Sequence, residues 1–297
     1  MKKTFIIISC CIMSSGIFAQ TVREKSSLHK GEPQKVISGY SFTEGCSVAK
    51  DGKVFFTDQP NDRIYVWDEK SGIHIFKEGV ERSNGTYFDS EGNLLACADL
   101  HNWLVKFTPS GKMIPVLTEG YNGKSFNGPN DLWPDKKGGI YFTDPYYPRD
   151  YWEKGHKQMQ DAEGVYYLAP DGSLKRVRGG KGQPNGIVGS PDGRWLYIAD
   201  MRQKTIWKYA ILSDGSLGDS TAFAPVGSDG MTIDREGNIY VTSGKVIVFN
   251  KQGQKIEEIN LPETPSNVCF GGQNRKTLFI TAKTSVYTVK MKVRGVE

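Results

Sequence analysis

Apolar and polar positions alternate along this chain in short runs that recur at a regular spacing. Six apolar runs each follow a polar turn, and they cover residues 54–56, 94–96, 140–142, 195–197, 239–241 and 278–280. In the first five turns a charged residue precedes a glycine, as in Asp51-Gly52 and Asp192-Gly193. Apolar runs bounded by turn residues in this way predict short β-strands joined by tight turns.

Each repeat continues with further strands. A run with period-two alternation and many aromatic residues follows each of the first runs, at residues 63–67, 103–107, 164–168, 205–209, 246–249 and 285–289. Turns such as Pro109-Ser110-Gly111 come next, and then another extended run, for example residues 113–117. The sixth repeat is short, and the extended segment 34–38 ahead of the first repeat can supply its missing outer strand. We therefore predict an all-β fold, a six-bladed β-propeller with four antiparallel strands per blade, whose last blade is closed by the N-terminal strand.

A polar residue stands seven positions before each turn. These residues are Glu44, Asn84, Asn130, Asn185, Asp229 and Asn267, and successive members lie 40, 46, 55, 44 and 38 residues apart. Each stands where the chain enters the innermost strand of a blade, so all six should face one end of the central channel. Asparagine and aspartate are also common turn formers, which is the structural alternative for any single member. Two carboxylates with several amide oxygens suit a hard divalent cation, calcium most naturally, or magnesium or manganese.

Glycine follows four of these polar residues, at Gly45, Gly85, Gly186 and Gly230. Without side chains, these positions would let the backbones of neighbouring blades crowd together near the axis.

One connection is much longer than the others. Residues 145–163 join the second and third strands of the third blade, and they begin with Pro145-Tyr146-Tyr147. Loops of this length are uncommon unless they are functional or disordered, and the aromatic residues favour a lid or specificity loop. Asp58, Asp144 and Asp200 end second strands. We expect them to form hydrogen bonds between blades, except Asp144, which precedes the long loop and is expected to contact substrate.

Composition and charge exclude several functions. The net charge of +5 is scattered, and no basic run alternates with aromatic residues, so nucleic-acid binding is not predicted. Residues 1–20 begin with two lysines, continue with a short apolar stretch and end in small residues, which is typical of a secretory signal peptide. We expect a single domain at 21–297 that is exported to the periplasm or secreted, with a lipid anchor at Cys10 as the weaker alternative. No apolar stretch reaches the length of a transmembrane helix.

The cysteines and histidines give little chemistry. Without the signal peptide three cysteines remain, Cys46, Cys97 and Cys269, and at least one must be unpaired. We expect those in strands to be small buried hydrophobic residues. The chain has no GxSxG motif, so a serine hydrolase triad is not predicted. His101 and His156 stand in loops that could approach the site, although a solvated loop histidine is the simpler interpretation of each.

Five motifs in register resemble one family. They are Phe42-Thr43-Glu44-Gly45, Asn127-Gly128-Pro129-Asn130-Asp131 with Thr143-Asp144-Pro145, Pro184-Asn185-Gly186, Ser228-Asp229-Gly230-Met231 and Asn267-Val268-Cys269. Together they resemble the SMP-30/gluconolactonase/LRE-like family, most closely its bacterial gluconolactonase-like members. The resemblance runs from about Phe42 to Gly295. One difference is Gly128, which stands where animal members carry an arginine.

The resemblance implies a site and a reaction. It implies one catalytic divalent cation, commonly Ca2+ (with Mg2+, Mn2+ or Zn2+ as alternatives), held by Glu44, Asn185 and Asp229, with Asn130 near the metal or the substrate. It also implies that Asp229 is the general base in the hydrolysis of a small-molecule sugar lactone. Asn130, Asn84, Asn267, Asp144, Tyr146 and Tyr147 are then expected to contact the substrate. Two alternatives stay open: an aryl-esterase or phosphotriesterase of the same fold, and a non-catalytic propeller that binds a ligand around a structural metal.

Overall fold

The computed structural model describes residue 1 and residues 27–154 and 157–296 of this protein. The predicted signal peptide falls almost wholly outside the described residues, and His156 lies outside them as well. The strands are β1 (His29–Ser38), β2 (Thr43–Val48), β3 (Val54–Asp58), β4 (Arg63–Asp68), β5 (Gly72–Glu78), β6 (Ser83–Phe88), β7 (Leu94–Ala98), β8 (Trp103–Phe107), β9 (Met113–Leu117), β10 (Leu132–Pro134), β11 (Ile140–Asp144), β12 (Gly164–Leu168), β13 (Leu174–Arg178), β14 (Pro184–Gly189), β15 (Trp195–Asp200), β16 (Thr205–Ile211), β17 (Leu217–Ala224), β18 (Met231–Ile233), β19 (Ile239–Thr242), β20 (Val246–Phe249), β21 (Lys255–Ile259), β22 (Asn267–Gly271), β23 (Thr277–Ala282) and β24 (Ser285–Met291).

These strands form six four-stranded antiparallel sheets arranged as the blades of a propeller. Blades 1 to 5 are β2–β5, β6–β9, β10–β13, β14–β17 and β18–β21, each in chain order. Blade 6 has the order β1-β24-β23-β22, so the N-terminal strand is its outermost strand. The pairing runs from His29 opposite Met291 to Ser38 opposite Ser285. The predicted fold and its closure are therefore confirmed, and the closure pairs an edge that would otherwise be open.

Burial falls from the axis outward. The second strands β7, β11, β19 and β23 are buried along their whole length, because neighbouring blades cover both faces of each. This explains why those strands are continuous apolar runs rather than alternating ones. Outer strands such as β5 are partly exposed. Small residues leave space for large side chains of the neighbouring blade. A Cβ on Gly189 of β14, for example, would lie 2.1 Å from Cζ2 of Trp133 in β10.

The four glycines beside the axis are required by close backbone approach. An added Cβ would lie far inside van der Waals contact with the next blade in every case: 1.9 Å from Asn84 O for Gly45, 2.4 Å from Asn130 O for Gly85, 2.3 Å from Asp229 O for Gly186 and 2.2 Å from Asn267 Cγ for Gly230. Three of these glycines also donate a backbone hydrogen bond to the next blade, as Gly85 N does to Asn130 O at 2.8 Å. The predicted crowding of backbones is confirmed.

We expect Gly85→Ala to destabilise the protein by about 1–3 kcal/mol, because the new methyl group has no space and must displace the neighbouring backbone. Gly85 has no positive φ, so the effect would report packing rather than backbone strain. Gly218→Ala is the matched control, since its Cβ would meet no atom closer than 3.5 Å. Urea unfolding of both variants measures the difference, and equal stabilities would contradict the packing explanation.

The aspartates at the ends of second strands mainly bind within their own blades. Asp58 accepts the backbone N–H of Phe42 at 3.0 Å, and Asp200 accepts that of Gln183 at 3.1 Å. In both cases the donor lies in the loop that leads into the first strand of the same blade. The prediction of bonds between blades is therefore wrong for Asp58. It holds only partly for Asp200, whose Oδ2 also accepts Arg178 of blade 3 at 3.4 Å.

The three cysteines in the described part of the chain, Cys46, Cys97 and Cys269, are buried, as expected of small hydrophobic residues. Among the described residues no helix is both long and apolar enough to cross a membrane.

Candidate active site

A cavity of about 240 Å³ opens at the end of the ring where the chain enters the inner strands. Five of the six polar residues predicted to face this channel line it, and the sixth, Asn267, lies directly behind Glu44. The lining residues are Phe42, Glu44, Gln59, Asn84, Asn130, Tyr147, Arg149, Asn185, Met201 and Asp229. The N-terminal ends of the inner strands β2, β6, β10, β14 and β18 therefore converge on one small polar space.

Two carboxylates, buried Glu44 and partly buried Asp229, face each other in this cavity. Glu44 Oε2 accepts the backbone N–H of Gly45 at 2.9 Å and Asn267 Nδ2 at 3.3 Å. Burial raises the pKa of Glu44 well above its usual range, and the negative charge of Asp229 adds to that rise. Burial also raises the pKa of Asp229, against the effect of its hydrogen bonds with Glu44 and Asn185. Two acids that line one small cavity favour a positive charge between them.

Asn185 holds Asp229 in place. Its Nδ2 donates to Asp229 Oδ1 at 2.9 Å and to the hydroxyl of Tyr147 at 3.1 Å. Both amide hydrogens are thereby used, which leaves Oδ1 of Asn185 as a possible ligand. Burial raises the pKa of Tyr147 to about 12, so its hydroxyl keeps its proton and can donate a hydrogen bond.

The remaining amides complete the wall. Asn84 Oδ1 is buried and has no hydrogen-bond partner among the residues that the structure describes, which is costly unless a ligand satisfies it. Asn130 lines the cavity and donates its backbone N–H to Thr143 O at 2.9 Å. Asn267 supports Glu44 from behind rather than facing the cavity, and its Oδ1 accepts the backbone N–H of Val268 at 2.7 Å.

This donor set fits a hard divalent cation. The described part of the chain contains no group of three or more His, Cys, Asp or Glu side chains arranged for a metal. Two carboxylates and several amide oxygens converge instead, and such oxygen ligands suit Ca2+ or Mg2+. The unsatisfied Oδ1 of Asn84 and the paired acids Glu44 and Asp229 are the two observations that support the fit. Glu44, Asn185 and Asp229 would hold the ion, with Asn130 beside them.

Asp144 lies behind the cavity rather than in its wall. Its side chain is fully buried, and its two oxygens accept the backbone N–H groups of Asn127 at 3.0 Å and Gly128 at 2.8 Å. Asp144 is not among the cavity-lining residues, and its carboxylate fixes the loop that carries Asn130. Tyr146 is not among the cavity-lining residues either; its ring stacks on Trp152 with centroids 6.2 Å apart.

We expect Asp144→Asn to destabilise the protein most at low pH. Burial raises the Asp144 pKa to about 7 in the folded protein, so the stability that its proton contributes is complete below pH 4 and is lost as pH rises toward 7. The amide lacks this pH dependence and replaces one acceptor by a donor, leaving a backbone N–H unsatisfied. Urea unfolding of both proteins at pH 5 and pH 7.5, with the same metal content, measures it. A larger stability difference at pH 7.5 would contradict this assignment.

The described part of the long loop 145–163 contributes Tyr147 and Arg149 to the cavity and is anchored by Asp99. Asp99 follows Ala98 as Asp200 follows Ala199, a shared position in the repeat that could have marked it. Arg149 Nε donates to Asp99 Oδ2 at 2.8 Å, the hydroxyl of Tyr151 donates to the same oxygen, and Trp152 Nε1 donates to the Asp99 backbone carbonyl at 2.9 Å. A Cβ on Gly128 would lie 3.3 Å from the Trp152 ring, so the lid occupies the space beside this glycine. The prediction of a covering loop agrees with this placement.

Sequence reasoning also missed four residues of the wall: Phe42, Gln59, Arg149 and Met201. Gln59 and Met201 directly follow Asp58 and Asp200 at the ends of second strands, so a shared position could have marked them, whereas Arg149 lies inside the long loop where no repeat applies. Asp131 was missed as well, although it takes the position that glycine holds in four other blades. Its Oδ2 accepts Ile187 N of blade 4 at 3.3 Å, and burial raises its pKa to about 7. His101 is half-exposed and pairs with Glu81 at 3.2 Å, away from the cavity wall.

Comparisons with known proteins agree with this architecture. Residues 42–284 match the family model described as SMP-30/Gluconolactonase/LRE-like region. A gluconolactonase of Zymomonas mobilis is 30% identical over 290 residues, covering 88% of this chain and 81% of that protein. A protein named lactonase drp35 from Staphylococcus epidermidis is 31% identical over 239 residues, covering 74% of this chain and 69% of that protein. The solved structure of a gluconolactonase from Xanthomonas campestris has a TM-score of 0.82 at 28% identity, covering 89% of this chain and 91% of that one.

Proposed function

This chain belongs to the SMP-30/gluconolactonase/LRE-like family, and on that premise we propose that it is a metal-dependent hydrolase that opens sugar lactones. The observation that carries the proposal is the pair of acids, buried Glu44 and partly buried Asp229, which face one cavity among amide oxygens. Its relatives include proteins named gluconolactonase and lactonase, which supports hydrolysis of a cyclic carboxylic ester.

We propose a single divalent cation, Ca2+ in the first instance, held by Glu44, Asn185 and Asp229, with Asn130 as a further ligand. A cation in such a site polarises a carbonyl group and offsets the negative charge that develops on it. The role of the protein is to present these oxygens together: Gly45 N and Asn267 fix Glu44, while Asn185 fixes Asp229.

Asp229 is the proposed general base. Its carboxylate takes a proton from the attacking water, the water oxygen bonds to the lactone carbonyl carbon, and the bond from that carbon to the ring oxygen breaks. The proton returns to the ring oxygen, which leaves as a hydroxyl group of the open acid. Tyr147 remains protonated and donates to a substrate oxygen, because burial raises its pKa to about 12.

The wall amides orient the sugar. Asn84 Oδ1, buried without a partner, can accept a hydroxyl group of the lactone ring, and Asn130 lies on the same wall. Substrate binding would thus relieve a polar atom that is costly to leave unsatisfied. Arg149, held at Asp99, places a positive charge at the rim of the same cavity.

A substrate panel tests the proposal. We expect the purified protein to hydrolyse glucono-1,5-lactone faster than a γ-lactone without hydroxyl groups, and much faster than p-nitrophenyl acetate or paraoxon. The assay follows proton release in weak buffer with added CaCl2, MgCl2 or MnCl2. Preference for paraoxon or the aryl ester would favour the esterase alternative, and metal-dependent stability without any turnover would favour a non-catalytic binding protein.

A further inference from the structure

A second cavity of about 520 Å³ adjoins the active site and points to the size of its substrate. The two cavities share Phe42, Gln59 and Arg149, so they meet along one wall. The central cavity, at about 240 Å³, is smaller than the roughly 300–1,000 Å³ typical of ligand pockets. The side cavity lies within that range. A single lactone ring would leave this adjoining space without a function.

The side cavity is built from segments that are held in place. Its floor is the short 3-10 helix Gln59–Asn61, and Gln59 Nε2 donates to Asp99 Oδ2 at 3.1 Å. Its roof is the lid segment from Pro148 to Tyr151, which the same Asp99 anchors. One carboxylate therefore sets the width of the opening from both sides.

The turn that carries Arg82 into this cavity is conformationally costly. Glu81 and Arg82 are consecutive non-glycine residues in the left-handed region, with φ of 57° and 53°. Asp62 Oδ1 accepts the backbone N–H of Arg82 at 2.7 Å and so holds this turn. Strain of this kind persists where the surrounding structure determines it, and it clusters at ligand sites.

The charge of the wall favours a neutral ligand with hydroxyl groups. The Arg82 guanidinium binds the backbone carbonyls of Gln59 and Pro60 and lies over the ring of Tyr151, 5.0 Å from its centroid. In the described part of the chain no carboxylate lies within ion-pair distance of it. Asp150, an exposed carboxylate of the same cavity, likewise has no cationic partner in the described residues. Arg149, the second cation of the lining, is paired with Asp99 at 2.8 Å.

The side cavity thus offers donors from Arg82 and acceptors from Asp150. An anionic group would meet repulsion from Asp150, and a cationic group would meet repulsion from Arg82. A hydroxyl group both accepts and donates hydrogen bonds, so a polyol can bind Arg82 and Asp150 at the same time. The prolines 60 and 148 and the ring of Phe42 add apolar surface between these polar groups, which matches the C–H faces of a pyranose.

We propose that the side cavity binds a second, neutral sugar unit attached to the lactone, so that the preferred substrates are glycosyl-aldonolactones rather than free aldonolactones. This inference rests on the proposed lactone hydrolysis. The lactone ring would lie at Glu44 and Asp229, and the glycosyl unit would extend past Gln59 toward Arg82 and Asp150.

Kinetics on paired substrates test this proposal. We expect kcat/KM for cellobiono-, maltobiono- or melibiono-1,5-lactone to exceed that for glucono-1,5-lactone by about tenfold or more for at least one linkage. Arg82→Met and Asp150→Asn should each bring this ratio close to one. Arg63→Met is the matched control and should keep the wild-type ratio, because Arg63 lies on β4 and pairs with Glu78 at 2.7 Å. A ratio near one for all three lactones in the wild type would overturn the proposal.

Two further measurements separate this proposal from the one on which it rests. Calorimetric titration with cellobiitol and with glucitol measures binding without turnover, and tighter binding of cellobiitol that Arg82→Met removes would support the side cavity even if no lactone is hydrolysed. If lactones are hydrolysed but glucitol and cellobiitol bind equally, only the side-cavity proposal fails. 6-Phosphoglucono-1,5-lactone is the anionic probe, and its preference over every disaccharide lactone would show that the cavity takes an anion instead.

Discussion

Asp229→Asn is expected to lower kcat for glucono-1,5-lactone by about 10²–10⁴-fold, which is the usual contribution of a general base. The amide keeps an oxygen at the cation site and nearly the same shape, but it cannot accept a proton from water. KM should change much less than kcat, since the asparagine and tyrosine side chains of the wall are untouched. Initial rates at saturating Ca2+ measure both constants.

The control for this variant is another aspartate that precedes a glycine. Asp171 lies in an exposed turn before Gly172 and does not line the cavity, so Asp171→Asn should retain full activity. A thermal melt of Asp229→Asn with Ca2+ checks that the variant is folded. Wild-type kcat in folded Asp229→Asn would rule out this residue as the base and would reopen the choice of base among the groups of the cavity.

Removal of the cation is expected to abolish lactone hydrolysis and to lower the stability of the fold. Chelation would leave two neighbouring carboxylates, buried Glu44 and partly buried Asp229, with no positive charge between them. An ion present at about a thousand times its Kd stabilises the folded state by about 4 kcal/mol, and this contribution would be lost. Differential scanning fluorimetry after EDTA treatment, with and without CaCl2, measures the stability, and the rate assay on the same samples measures activity.

A glutamate variant links that stability to the site. We expect Glu44→Gln to raise the melting temperature of the metal-free protein and to reduce the increase in melting temperature caused by Ca2+. The reason is that Asp229 is then the only remaining carboxylate of the pair. Glu236→Gln, in an exposed turn, should respond to Ca2+ as the wild type does. A Ca2+ response of Glu44→Gln equal to that of the wild type would place the ion elsewhere.

The placement of the lid explains how residues far apart along the chain act together. Asp99 of blade 2 receives hydrogen bonds from Gln59 of blade 1 and from Arg149 and Tyr151 of the loop in blade 3. One buried carboxylate therefore connects three blades at the rim of the site. Because Arg149 lines both cavities, the same anchor sets the shape of the central cavity and of its extension.

The repeat pattern was sufficient to predict the blades. Strand period, turn glycines and a polar residue at the start of each inner strand are local features, and a propeller repeats one local unit, so the register of Glu44, Asn185 and Asp229 could be recognised without coordinates. The glycine positions followed in the same way, because close approach of backbones needs a residue without a side chain. Even the closing strand was predictable, since a short sixth repeat leaves one edge that needs a partner.

Which polar residues face the cavity and which support them could be learned only from the tertiary structure. Asn267 shares the register of the site residues and Asp144 ends a second strand before the long loop. Asn267 nevertheless holds Glu44 and Asp144 fixes a loop, because the direction of a side chain depends on the donors that surround it. Asp99, Arg149, Gln59 and Arg82 meet only through the folding of a long loop across three blades, and no spacing along the chain encodes that contact. The repeat pattern predicted the ring and placed six polar residues at one end of its channel. The walls, the lid and the adjoining cavity required the tertiary structure, because they depend on contacts between segments that no repeat relates.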